Sequence, residues 1–182
     1  MPIIDSKTGK VKRDYSLDEL QNAANQMRGY NLVSLACAGS GHAGGTLSIM
    51  DVTAALYLKV AKHDPSSPNW PDRDRIIWST GHKAPALYIG LGMSGYFPIE
   101  EVAKLRKLYA PYQGHPHWLK LRGVEASTGS LGQGLSISNG IALAATLDKR
   151  TITSSVLWGT ASSRRARSGK PRWRPAITNL II

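Results

Sequence analysis

The chain has 182 residues, enough for one domain with its own core. Its single cysteine, Cys37, excludes an internal disulfide and a cysteine-based metal cluster. No apolar run reaches the roughly 18 residues of a membrane span and the first residues lack a signal-peptide core, so a cytoplasmic protein is expected. The net charge of +11 would suggest a nucleic acid partner, but residues 1–150 carry 17 Lys and Arg against 12 Asp and Glu, whereas residues 151–182 carry six against none. Over half the excess therefore lies in the last segment.

In chain order, Ser16 reads as an N-cap with Glu19 placed to complete a capping box. Leu20, Ala23, Ala24, Met27, Tyr30 and Leu32 to Leu35 then recur near helical spacing up to the glycines at 39 and 41. A second helix is expected over Ser48 to His63, with Leu47, Ile49, Val52, Leu56 and Val60 on its apolar side. "DPSSPNWPDRD" must be a loop, since it holds three prolines. "RIIWST" reads as a strand ending at Gly81, "KAPALYIGLGMSGY" as a helix, and "PIEEVAKLRKLYA" as a further amphipathic helix over 98–110. An irregular stretch at 111–130 leads to an Ala- and Gly-rich helix over 131–149 and a second strand, "TSSVLW". Strands separated by helices imply an α/β fold with a parallel sheet.

Glycine stands beside histidine in "SGHAGG" (40–45), "STGHKAP" (79–85) and "YQGHPHW" (112–118), and "STGSLGQG" (127–134) enters a helix with three glycines. Glycine admits close approach of the backbone to a ligand, and the free amides at a helix start hold anionic oxygens. Histidine adds a donor or base that works near neutral pH. A lone histidine is more simply a surface or hydrogen-bonded core residue, and His63 and His117 are read so. Repetition beside glycine turns His42, His82 and His115 toward a site. Residue chemistry alone thus reaches an α/β protein that binds a phosphorylated ligand.

Taken in order, "SGHAGGTLSIMDVTAALY", "NWPDRDRIIWSTGHKAPALY", "QGHPHW", "GVEASTGSLGQGLSISNGIALA" and "VLWG" closely resemble the amino-terminal, diphosphate-binding domain of transketolase, nearest to the form in which that domain is a separate subunit. 1-Deoxyxylulose-5-phosphate synthase shares the first element and is the alternative thiamine enzyme. The resemblance covers about residues 16–159. It implies a thiamine-diphosphate-binding fold, a parallel sheet flanked by helices, with the cofactor at an interface with a pyrimidine-binding domain on a separate C-terminal subunit. The implied reaction is transfer of a two-carbon ketol unit between sugar phosphates, in an oligomer, within the pentose phosphate pathway. By the same resemblance His42 contacts substrate near the reacting carbonyl, His115 lines the catalytic pocket, and His82 lies at the cofactor diphosphate. Gly129, Ser130 and Leu131 wrap the cofactor, with Gly159 a further contact. The family often has proline where Ser130 stands.

Beyond Gly159 the pattern departs. The family continues "DGE.QEG..WEAA", whose Asp begins the Mg²⁺ motif, but Thr160 and Ala161 stand here, so no metal ligand is assigned. The genetic code suggests why. Loss of the first base from ATG GGG GAC GGC leaves TGG GGG ACG GC, which reads Trp158, Gly159, Thr160 and Ala161. Synonymous codons for "TASSRRARSGKPRWRPA" can be chosen so that the neighbouring frame reads "DGELQEGQVWEAAMAAS". Residues 1–158 are therefore expected to be a partial diphosphate-binding domain, incomplete on its C-terminal side. Residues 159–182 are expected to be an aberrant basic tail translated out of frame until "NLII". The competing reading makes the tail a basic arm for nucleic acid. As it stands the chain is expected to be inactive, or a non-catalytic fragment that only pairs with a partner subunit.

Overall fold

A computed structural model of the protein describes residues 14–157. It opens with helix α1 (Leu17–Ala38), whose start is the capping box read from the sequence. The Glu19 amide donates to Ser16 Oγ (3.2 Å) and the Ser16 amide to Glu19 Oε2 (2.8 Å), so two of the helix's free donors are satisfied. Gly39 ends it at φ +65°, the left-handed conformation that glycine adopts without steric cost.

A separate short helix, α2 (Ala43–Leu47), precedes the helix expected over Ser48 to His63, which is present but shorter, as α3 (Met50–Ala55) running on into a π-helical turn over Leu56–Val60. At the junction of α2 and α3, Thr46 Oγ1 donates to the His42 carbonyl (2.9 Å) and Ser48 Oγ to that of Gly45 (3.0 Å). At the far end Ala61 N–H reaches back five residues to Leu56 O (2.8 Å), and Ala61 itself is extended.

Strand β1 (Arg75–Trp78) leads through a 3₁₀ turn, Gly81–Lys83, into α4 (Ala84–Met93). All ten residues of α4 are buried, which makes it the centre of the core rather than a surface helix. α3 and the π-helical turn cross it closely at Gly90, where a Cβ would stand 2.8 Å from the Tyr57 ring and 2.9 Å from the Thr53 methyl. The amphipathic helix expected over 98–110 is only a 3₁₀ segment, Ile99–Lys104. Its buried residues Ile99 and Val102, followed by Leu105 just past its end, recur every three positions, the period of a 3₁₀ turn rather than an α-helix. Arg106 and Tyr109, at φ +61° and +64°, take the chain out of helical geometry.

Helix α5 (Gln133–Leu147) and strand β2 (Ser154–Leu157) complete the described chain. β2 pairs parallel with β1, with Ile77 opposite Val156, so the two strands form the described part of a parallel sheet. Asp74 ties the strand starts together, its carboxylate accepting from Lys62 N–H and Thr153 N–H, both at 2.8 Å. The irregular 111–130 connection is held by Glu125, which receives two bonds of 2.8 Å from Arg73, with Arg75 at 3.8 Å. Helices around a parallel sheet are the α/β architecture read from the sequence. No helix among the described residues is long and apolar enough to cross a membrane.

Candidate cofactor and substrate site

Four loops meet beyond the C-terminal end of β1. Gly81 is buried where the strand turns, and a Cβ there would lie 2.5 Å from the Thr128 carbonyl oxygen. Gly134, in the first turn of α5, comes so near Ser79 that a Cβ would stand 2.7 Å from its Cα. Two glycines thus let the 127–134 loop close on the β1 turn. The third motif joins through His115, whose ring Cδ2 is 3.5 Å from the position a Cβ on Gly129 would take. The fourth joins through His42, whose ring centroid is 6.2 Å from that of His82, edge to face.

His42, His82, His115 and Gly129 are therefore neighbours, although about 90 residues separate the first from the last. His42 and His115 are exposed, while His82 is half-buried. Burial pushes the His82 imidazole below its ordinary value, and Lys83, His42 and His115 push it the same way. At neutral pH it is an uncharged ring, able to donate from one nitrogen and accept at the other. Ser130 is exposed and Leu131 half-buried on the same loop. Gly159 lies outside the described residues.

α5 starts at Gly132, which sits at φ +89° and provides no side-chain cap, so the first amides of a 15-residue helix have no side-chain acceptor there. Beside this start three buried hydroxyls, Ser79 Oγ, Thr80 Oγ1 and Thr128 Oγ1, have no hydrogen-bond partner within the protein. Buried donors without acceptors are costly, and acceptor-rich phosphoryl oxygens would satisfy them. These three residues were not singled out from the sequence. The available signal was their place at the end of a strand and inside the glycine loop.

His63 and His117 bear out the plain reading. His63 is buried, with Nε2 2.8 Å from the Tyr57 carbonyl and Nδ1 3.2 Å from Tyr96 Oη. His117 Nδ1 accepts from Leu119 N–H at 3.3 Å.

Glycine-tight turns at a parallel-sheet edge, an uncapped helix start and unsatisfied hydroxyls define the class, an α/β protein with the makeup of a phosphate-binding site. The chain belongs to the transketolase family: the model of "Transketolase, thiamine diphosphate binding domain" matches residues 20–154. It is 45% identical over 130 residues to the 6-deoxy-6-sulfo-D-fructose transketolase subunit SqwG of Clostridium sp. (strain MSTE9), covering 71% of this chain and 47% of that one. With transketolase 2 of Escherichia coli (strain K12) it shares 39% over 125 residues, 68% of this chain and 19% of the other. The Pichia stipitis transketolase complex with sedoheptulose-7-phosphate superposes with a TM-score of 0.75 at 30% identity, covering 79% of this chain and 23% of that one. The Campylobacter jejuni transketolase gives 0.75 at 32% identity, covering 83% and 24%. The chain thus spans about half the length of the first relative and about a fifth of the E. coli enzyme.

Proposed function

We propose that the chain is the thiamine-diphosphate-binding half of a transketolase divided between two subunits, with sugar phosphates as substrates and a pyrimidine-binding C-terminal subunit as partner. The observation that carries this reading is the convergence of His42, His82 and His115 on an uncapped helix start lined by unpartnered buried hydroxyls. That the SqwG relative is named as a subunit supports the division between chains. An oligomer in the cytoplasm, working within the pentose phosphate pathway, completes the proposal.

The residues present fit a diphosphate. His82 would donate to one of its oxygens, the first amides of α5 would receive another, and the Ser79, Thr80 and Thr128 hydroxyls lie within the same corner. Gly129, Ser130 and Leu131 would follow the cofactor's length, and Gly159 would add a contact. Bound thiamine diphosphate supplies the electron sink that lets a ketose carbon–carbon bond break. The protein's own task is positioning and proton handling. His42 and His115, exposed toward the site, orient the hydroxyl and carbonyl oxygens of the sugar and hold or release a proton at them.

Mg²⁺ does not fit the sequence as it stands, because Thr160 occupies the position of the family's first carboxylate ligand. We attribute this to translation out of frame over 158–177, with 1–158 as domain sequence and 159–182 as aberrant tail; both boundaries touch residues outside those described. Sequencing the gene across codon 158 tests it, since an intact ATG there identifies a sequence error. In an assay with thiamine diphosphate, Mg²⁺ and an intact partner subunit, this chain is expected to give no ketol transfer and the frame-restored chain to give turnover. Turnover by the unrestored chain, or none by the restored one, would overturn the respective half of the proposal.

A further inference from the structure

We propose that Lys83 is the charged anion-binding residue of this site, contributing its ammonium group to the diphosphate that His82 and the start of α5 hold. The inference rests on the cofactor reading above and adds a binding residue to it. Lys83 follows His82 directly and closes the 3₁₀ turn that leaves β1. Its Cε is 3.5 Å from where a Cβ on Gly45 would stand, so its aliphatic stem lies along α2, within the same "HAGG" segment that His42 begins.

No ion pair to Lys83 is formed among the described residues, and none of the four glycine motifs contains a carboxylate. Glu125 is paired with Arg73 and Arg75, and Asp51 with Arg28. A half-buried ammonium beside the His82 imidazole, with no ion-pair partner among the described residues, is unfavourable unless an anion completes it. Burial lowers the Lys83 pKa in the same sense. The unpartnered hydroxyls of Ser79, Thr80 and Thr128 favour a group with many acceptor oxygens, which selects a diphosphate over a single carboxylate.

The test is calorimetric titration of inorganic diphosphate, and separately of fructose 6-phosphate, into the full chain and its Lys83→Met and Lys83→Arg variants, with a chelator present to remove divalent ions. Lys83→Met keeps the stem against Gly45, and circular dichroism melts establish that each variant is folded. The expected result is that Lys83→Met weakens diphosphate binding about tenfold or more and flattens its salt dependence. Lys83→Arg should remain within about threefold of the parent, because it keeps the charge. Equal diphosphate affinity in the parent and Lys83→Met overturns the role of Lys83 and leaves the cofactor reading standing. No diphosphate binding by the parent chain overturns the cofactor reading itself. Loss of fructose 6-phosphate binding alone assigns the cation to the sugar's phosphate and overturns the diphosphate assignment.

Discussion

Gly81 and Thr128 touch backbone to backbone: a Cβ on Gly81 would lie 2.5 Å from the Thr128 carbonyl oxygen and 2.8 Å from its carbonyl carbon. Gly129 Cα would be only 3.0 Å away, so the whole glycine loop would have to retreat. Backbone atoms cannot rotate aside as a flexible side chain can. Gly81→Ala is therefore expected to cost about 1–3 kcal/mol in urea unfolding. It should also weaken thiamine diphosphate binding beyond that loss, because the loop and the β1 turn form one corner. Unchanged stability in the variant would show that the two segments are not held together as described.

The Arg73–Glu125 pair fixes the other end of that loop. Its side chains are 15% and 10% exposed, so the charges are largely removed from water, and both bonds are 2.8 Å. Removing the carboxylate leaves Arg73 and Arg75 facing each other without compensation. Glu125→Gln is expected to destabilise the fold by about 3 kcal/mol, near the lower end of the range for breaking a buried pair. Arg73→Met combined with Glu125→Leu should recover part of that, which a double-mutant cycle by chemical denaturation would measure. Additive losses in the cycle would contradict a direct pair.

Much of this corner was legible in the sequence because its signals are short-range. The Ser16–Glu19 box, the β-rich runs at 75–80 and 153–158, and glycine beside His42, His82 and His115 each lie within a few residues. The failures arose where two periods nearly coincide or where a side chain competes with the backbone. Ile99, Val102 and Leu105 satisfy a helical pattern over one turn, and only the left-handed Arg106 and Tyr109 reveal that the pattern stops. Ser48 looks neutral in a helix, yet it stands at the break between α2 and α3 with its hydroxyl on the Gly45 carbonyl. Ser79, Thr80, Thr128 and Lys83 could not be selected, because what distinguishes them is the absence of a partner once distant segments have closed.

His82 makes a pH prediction whose sign follows from its depressed pKa. The unfolded chain binds a proton near the ordinary value of about 6.5, while the folded chain resists doing so until lower pH. Between those two points the unfolded state carries more protons, so stability falls as pH falls through that window and is unaffected by this group above it. His82→Asn should abolish the group's share of the decline, seen as a shallower loss of melting temperature below pH 6.5. Bound diphosphate should raise the His82 pKa toward or above its ordinary value, because an anion favours the imidazolium. Histidine NMR titration with and without inorganic diphosphate checks this, and a pKa unmoved by the ligand would place the anion elsewhere.

Metal dependence separates the chain as it stands from the frame-restored one. Restoration replaces Thr160 with Asp and supplies the hard oxygen ligand that Mg²⁺ requires next to a diphosphate. In the unrestored chain the anion would be held, among the described residues, by His82, Lys83, the α5 amides and the three hydroxyls, none of which needs a divalent ion. Its affinity for thiamine diphosphate is therefore expected to be insensitive to a chelator. The restored chain should bind at least tenfold more tightly with Mg²⁺ than without, measured by calorimetry in both conditions. Thr160→Asp placed alone in the present tail should recover little of that gain, because the rest of the family's "DGE.QEG..WEAA" segment remains out of frame. A full recovery by that one substitution would mean that a single carboxylate suffices, and that the remaining tail contributes nothing to the site.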